Sequence, residues 1–374
     1  MQRRRHPNSA IFPDELMLEI ISWLPVKHII QLRCVNKFFK TLIFDPHFVR
    51  MHLNKSRRNS NLALPWYRNL DKYDEDYRLI TLSIPYVLGI QTQNQYAISD
   101  PYYRLNDDLN DDSIIIRKIV GSCNGLLCVL SISSSDEHCL CFWNPATRTK
   151  SNEFMVFDCD LNCNMFSFGY DNSSQTYKVV AFCAEESGCN KVKVFSLGDN
   201  SWRDLQCFPL IPCHDDGVHF NGTINWLAYH NVDNQYVILS LDLSTETYTH
   251  LLLPLGLDDV DGPMIVLLGD RLCFCHDFEE THFVIWQMKD FGVQNSWIQL
   301  FKVRYEKRIG FVVRWLPLYL SGNGDTLIWA EADDIYREIF IYSCIGNKKE
   351  KIALTNNIGW MYAMDYVESL VPTN

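Results

Sequence analysis

The chain has 374 residues, 47% apolar and 21% charged. These are the proportions of a folded globular protein and exclude a disordered or fibrous chain. A formal net charge of −11 argues against nucleic acid or an anionic membrane surface as partner, since both repel an acidic protein, and no apolar run reaches the roughly 18 residues of a membrane span.

Residues 1–10 read as a basic tail. Met1-Gln-Arg-Arg-Arg-His-Pro7 has no apolar stretch after its arginines, so it does not read as a secretory signal. The 14 cysteines are therefore expected as reduced thiols, with the protein in the cytoplasm and/or nucleus. Residues 1–60 hold 11 Lys and Arg against four Asp and Glu, a surplus of +7, which leaves −18 for the remainder. Such asymmetry points to two units with different partners.

The first unit, residues 11–53, reads as short helices. Pro13, Asp14 and Glu15 form a helix start, and Leu16, Ile20, Trp23 and Leu24 follow at helical spacing. Pro25 breaks the pattern. Ile29, Leu32 and Val35 mark a second helix; Phe38, Phe39, Leu42 and Ile43 mark a third, ended by Asp45-Pro46. Helices this short are not stable singly, and so few residues make a marginal core. Two readings stay open: a subdomain leaning on the next domain, or a docking module whose apolar face a partner completes.

Phe12-Pro-Asp-Glu-Leu16, Glu19-Ile-Ile21, Leu24-Pro-Val-Lys27, Leu32-Arg-Cys-Val35, Lys37, Leu42-Ile43 and Asp45-Pro-His-Phe48 resemble the F-box motif, in the Leu-Pro-Val-Lys form of the large plant F-box families. The resemblance implies docking on the acidic Skp adaptor of SCF (Skp–cullin–F-box) ubiquitin ligases, and through it on a cullin. Carried onto this sequence, the adaptor-binding residues would be Phe12, Pro13, Leu16, Ile20, Leu24, Pro25, Val26, Leu32, Val35, Phe39 and Leu42. Leu24, Pro25, Val26, Leu32 and Val35 are expected to contribute most. Phe12, Asn36 and Phe39 stand where the family usually has Leu, Cys and Trp.

Residues 54–75 read as a linker. Beyond them, over 76–374, short alternating strands with turn chemistry replace helical periodicity. Four segments open on Gly and run into a strand: Gly125-Leu-Leu-Cys-Val, Gly222-Thr-Ile-Asn-Trp, Gly269-Asp-Arg-Leu-Cys-Phe and Gly324-Asp-Thr-Leu-Ile-Trp. A looser fifth is Gly169-Tyr-Asp…Tyr177-Lys-Val-Val180. Each is followed by a second strand and a polar turn, and aromatics return after the turn at Trp202, Tyr248 and Trp297. From Phe195 to Trp202 and from Leu241 to Tyr248 the step is seven residues. A glycine interval of roughly 44–55 residues suits one four-stranded propeller blade, so a β-propeller of about six blades is expected. A β-sandwich is the alternative. Tyr362–Tyr366 is the candidate strand that closes the ring.

Gly121-Ser-Cys-Asn-Gly-Leu-Leu-Cys128, Trp143-Asn-Pro-Ala-Thr-Arg148, Phe168-Gly-Tyr-Asp171…Tyr177-Lys-Val-Val180, Asn221-Gly-Thr-Ile-Asn-Trp226, Leu239-Ser-Leu-Asp-Leu243…Glu246, Val284-Ile-Trp-Gln-Met288…Ser296-Trp297 and Tyr366-Val-Glu-Ser-Leu-Val371 resemble the plant F-box-associated interaction domain, as in F-box/kelch-repeat and S-locus F-box proteins. No Gly-Gly doublet or Trp-Asp dipeptide occurs, so neither the kelch nor the Trp-Asp repeat signature is present. The expected whole is a small all-α F-box domain followed by a large all-β domain.

For this layout the resemblance implies a non-catalytic ligase subunit that holds an unidentified protein target. The alternatives are a propeller enzyme or carbohydrate binder, and an F-box scaffold outside a ligase. Cys139/Cys141 and Cys273/Cys275 share strand faces but lack knuckle spacing, so they are expected as buried thiols. Cys213-His-Asp-Asp216 with His219 is the best polar cluster, and a solvated loop is its simpler reading. Asp258-Asp259-Val-Asp261-Gly262 lacks the alternating ligands and distal Glu of a calcium loop. No nucleophile elbow, phosphate loop or zincin motif occurs, so no catalytic, cofactor or metal residue is expected. Target-binding candidates are the segments near 104–113, 212–219, 256–263 and 304–316.

Overall fold

Four helices open the chain. α1 (Asp14–Ile21) has Asp14 and Glu15 in its first turn, where acids meet the positive end of the helix dipole. α2 (Val26–Leu32) starts directly after Pro25. α3 (Lys37–Leu42) is capped by Asn36, whose side-chain oxygen accepts from the Phe39 N–H at 3.0 Å. Asp45-Pro46 does more than end the third helix. It starts α4 (Pro46–Ser56), with Asp45 accepting from the Phe48 N–H at 2.8 Å. The computed structural model describes residues 13–57, 61–69, 75–84, 114–133, 135, 137–156, 163–183, 190–208, 210, 212–213, 217–230, 234–257, 260–279, 281–304, 314–321, 326–332, 337–343, 348–352, 359–360 and 364–374.

Among the described residues six antiparallel sheets follow. β1 (Asn61–Asn69) and β2 (Glu75–Ser83) belong to the closing blade. The first full blade is β3 (Ile114–Cys123), β4 (Leu126–Ser133), β5 (His138–Asn144) and an outer strand in two pieces, β6 (Thr149–Lys150) and β7 (Phe154–Met155). The second is β8 (Cys163–Asp171), β9 (Thr176–Cys183), β10 (Asn190–Ser196) and β11 (Ser201–Phe208). The third is β12 (Val218–Phe220), β13 (Thr223–His230), β14 (Gln235–Asp242) and β15 (Tyr248–Leu252). The fourth is β16 (Asp261–Leu268), β17 (Arg271–Phe278), β18 (His282–Met288) and β19 (Trp297–Arg304). The fifth is β20 (Arg314–Leu320), β21 (Thr326–Ala332), β22 (Arg337–Ser343) and β23 (Lys348–Ile352). Two short strands, β24 (Gly359–Trp360) and β25 (Met364–Tyr366), pair with β1 and complete the closing blade.

In the five blades that are continuous in the chain the first strand is innermost, and in the closing blade it is the last, β25. Contacts run from β25 to β3, then to β8, β12, β16 and β20, which is a ring and not a two-sheet sandwich. The second and third strands of a blade pack on neighbouring blades with both faces. β4 is buried at six consecutive residues, Leu126 to Ser131, whereas outer β11 is mostly exposed or half-exposed. Turns fix the register. Asn124-Gly125 and Asn221-Gly222 are two-residue hairpin loops with positive φ at both positions, the conformation that Asn-Gly favours. The seven-residue steps are cross-strand pairs: Phe195 opposes Trp202 and Leu241 opposes Tyr248.

Two expectations change. Residues 54–75, read as a linker, carry the end of α4 and the strand β1. β1 pairs along its length with β2, the next strand, and at Asn61 to Ala63 with β25 near the other end of the chain. Gly125, Gly222 and Gly269 sit in the turns that lead into the second strands of their blades, β4, β13 and β17, so each unit begins one strand earlier than its glycine; the looser fifth, Gly169, lies within the inner strand β8. Six blades and closure by the C-terminal strand are as expected.

The helices are fused to the ring. Ile21, Val26, Ile29, Leu42, Ile43, Phe48, Val49 and Leu53 lie in one apolar cluster with Val120, Cys123, Leu126, Phe142 and Phe168 of the first two blades. Arg57 donates to Asn124 Oδ1 at 2.7 Å. The helical unit therefore covers the face that carries the inner hairpin turns. The inner strands begin at the opposite end from these turns, because the two ends of a strand lie on opposite faces.

Candidate functional site

The two faces of the helical unit differ in burial. One side is core: Val26 and Ile29 are each 1% exposed, and Leu42, Phe48 and Leu53 are buried. His52 is buried with them; its Nε2–H donates to the Leu24 carbonyl at 3.0 Å, and burial lowers its pKa, so it is held neutral. The other side presents large apolar groups to solvent. Leu16 is 52% exposed and Ile20 56%, and Trp23, in the turn that follows α1, is exposed as well. Lys55 sits 4.6 Å above the Trp23 ring and pairs with Glu19. Val35, Phe38 and Phe44 are also exposed, with exposed Arg33, Lys37 and Lys40 around them.

This separates the expected docking residues. Pro13, Leu16, Ile20, Pro25 and Val35 face solvent. Leu24, Leu32 and Phe39 are half-buried against the shared cluster. Val26 and Leu42 are interior, so their apolar character serves the fold and not a free surface. Phe12 lies outside the described residues. Trp23, Phe38 and Phe44 were missed as surface residues, although the Leu16, Ile20, Trp23 spacing is itself the signal of one helix face.

Asn36 has a local reason to be there, since a Cys in its place would not cap α3 in the same way. Asn36→Ala should lower the stability of the helical unit by about 1 kcal/mol, read as a shift in its thermal or denaturant midpoint.

The propeller's chemistry-bearing side chains resolve into packing. Cys141, Cys273 and Cys275 are buried, and burial pushes the Cys273 thiol up to about 12 and Cys275 well above its ordinary value. Half-buried Cys139 sets its Sγ 3.2 Å from Met155 Sδ. His219 lies over Gly169 as a spacer between blades, with its Nδ1 3.5 Å from Cys123 Sγ and its Nε2 accepting from the Tyr170 N–H at 3.1 Å. His214, Asp215, Asp216, Asp258 and Asp259 lie outside the described residues. Among the described residues no group of three or more His, Cys, Asp or Glu could hold a metal ion.

The strongest polar constellation joins the second and third blades. Lys178 of β9 is buried and meets Asp171 at 3.0 Å and Glu246 at 3.1 Å, and it also donates to the Leu243 carbonyl. Arg203 grips Glu246 with its Nε and Nη2. Burial alone would raise the Asp171 carboxyl. Hydrogen bonds from Ser174, Lys178 and the backbone N–H groups of Ser173 and Ser174 overcome that and hold it down at about 2. Every charge is answered by another and none points into a cleft, so the arrangement is a latch between blades.

Residues 76–373 match the F-box associated beta propeller domain, and residues 11–51 match the F-box domain. The chain belongs to the plant F-box proteins. An F-box/kelch-repeat protein of Arabidopsis thaliana is 26% identical, over 97% of this chain and 96% of its own length. F-box protein CPR1 of Arabidopsis thaliana is 24% identical, over 87% of this chain and 83% of its own. Among solved structures, TolB from Acinetobacter baumannii superposes with a TM-score of 0.51 at 9% identity, covering 86% of this chain and 73% of that one, a likeness of fold alone. The motif residues of this F-box protein that could be placed structurally are turns, blade latches and helix packing. Of the four target-binding candidate segments, 104–113 lies outside the described residues, and the described parts of the other three include the starts of β12, β16 and β20.

Proposed function

We propose that this F-box protein is the target-recognition subunit of an SCF ubiquitin ligase in the cytoplasm and/or nucleus. Its helical unit docks a Skp-family adaptor, and through it a cullin. Its propeller holds a protein target for ubiquitination and degradation. The observation that carries the reading is the solvent-exposed face of Leu16, Ile20, Trp23, Val35, Phe38 and Phe44 on a unit whose other side is already occupied by the propeller. Apolar groups gathered in this way mark an interaction surface. The basic residues between them fit an acidic partner.

No side chain of the subunit is assigned a chemical step. It accelerates transfer by raising the effective concentration of target beside the charged ubiquitin. Target capture is assigned to the face opposite the helices, which leaves the adaptor surface unobstructed.

Replacing Leu16 and Ile20 together by Glu should weaken capture of a plant Skp adaptor by about a hundredfold or more, because a charge then sits at the centre of an apolar contact. The thermal midpoint should be nearly unchanged, since both side chains already face water. Undiminished capture by the double variant would overturn the assignment.

A further inference from the structure

Three separated sequence motifs meet at one place. The C-terminal segment 367–373 leaves the ring at Tyr366, which is 1% exposed, and runs between the first blade and α2. Asn144, from the Trp143-Asn-Pro-Ala-Thr-Arg148 motif, donates through Nδ2 to the Ser369 carbonyl at 3.1 Å and to the Val371 carbonyl at 2.8 Å. Gly125, from the Gly121–Cys128 motif, lies against Ser369 and the Val367 carbonyl, where a Cβ would collide with both. Leu370 and Val371 are buried in the same cluster as Val26, Ile29 and Phe48 of the helices. Glu368 lies beside the start of α2: burial raises the pKa of its carboxyl, and the nearby Val26 N–H lowers it. α2 follows Pro25 and has no side-chain cap of its own.

We propose that this C-terminal strap is the positioning element of the adaptor-docking helices, with Asn144 anchoring it to the first blade and Glu368 passing the restraint to α2. The inference rests on the adaptor reading. A helical unit of this size does not complete its own core, and the strap supplies part of the missing side. Loosening the strap lowers the fraction of molecules whose helices hold the docking arrangement. Apparent affinity for the adaptor then falls by that fraction, although no docking residue has changed. Glu368 is desolvated, which raises its pKa, and His28 works in the opposite direction. The role assigned to it in the strap is to set a carboxyl oxygen beside the start of α2, and the amide oxygen of Gln can take that place.

The test uses the full-length protein and three variants, Glu368→Ala, Glu368→Gln and Asn144→Ala. Amide hydrogen exchange is followed at 26–32 and, as an internal reference, at β13 and β14. Each variant is then titrated with a plant Skp adaptor. In Glu368→Ala and Asn144→Ala the α2 amides should lose most of their protection while the reference strands keep theirs, and adaptor binding should weaken by about tenfold, the fall expected when about one molecule in ten still holds the docking arrangement. Glu368→Gln should stay within about threefold of the parent, since its amide oxygen can still face the Val26 N–H. Unchanged α2 exchange in both Ala variants overturns the proposal, as does unchanged adaptor affinity when α2 exchange has risen. If Asn144→Ala also loses protection in β13 and β14, the Glu368 pair decides. If the parent protein binds no adaptor while the Leu16/Ile20 surface is intact, the ligase reading fails, and the exchange data still decide whether the strap restrains the helices.

Discussion

Lys178→Met should destabilise the propeller by about 3–5 kcal/mol, because removing one partner of a buried ion cluster leaves the others desolvated and uncompensated. Met keeps the length of the stem but gives up the charge. Asp171 and Glu246 lose their shared cation, and the Leu243 carbonyl loses its donor. The loss falls at the junction of the second and third blades, so thermal unfolding should shift as a whole and not only at the helices. An acid titration gives an independent readout. The Asp171 carboxyl is held down at about 2 from an ordinary 3.8, so its folded-state pKa is depressed. The stability it contributes is present above pH 3.8 and is lost as pH falls toward 2. One such shift is worth about 2 kcal/mol. In Lys178→Met the Asp171 pKa should rise, and the acid-side loss should begin at a higher pH and be smaller. A variant as stable as the parent, with the same acid profile, would show that the latch adds nothing.

Much of this architecture is legible in the sequence because it is local. Asn124-Gly125 and Asn221-Gly222 announce their turns through the positive φ that the turn requires. The step from Phe195 to Trp202 survives as a cross-strand contact, with ring centroids 5.3 Å apart. What was missed is non-local or short. β12 has three residues, too few for any periodicity to be read. β1 contains Pro65 and pairs with β25 some 300 residues later. The exposed apolar surface of the helical unit was half legible. The spacing of Leu16 and Ile20 defines a helix face, but motif resemblance alone does not tell a residue that packs inward, such as Val26 or Leu42, from one that meets a partner. Lys178 and Asp171 read as ordinary charges in a strand and its turn. Only the approach of the 243–246 turn from the next blade buries them.

Trp226→Ala should cost about 3–5 kcal/mol, the range for emptying a large aromatic site. Trp226 is 1% exposed and packs in the cluster between the second and third blades, edge-on to Phe182 with centroids 5.0 Å apart. Its Nε1–H donates to Ser167 Oγ at 2.9 Å, and the same oxygen accepts from the Gly217 N–H at 3.1 Å. Gly217 leads into β12 from the face assigned to target capture. A Cβ there would meet the Trp226 ring and Ser167, so the backbone lies directly on the indole. Trp226→Phe separates the two contributions: it keeps an aromatic ring in the site but loses the hydrogen bond, and should cost about 1–2 kcal/mol. If Ala and Phe destabilise equally, the hydrogen bond to Ser167 dominates and ring packing is minor. If Phe is nearly neutral, the indole serves mainly as filling. With total stability of a domain only about 5–15 kcal/mol, the Ala variant should melt well below the parent. Hydrogen exchange at Gly217 and β12 should rise before exchange in the fourth blade, because the Gly217 backbone rests on the ring that has been removed.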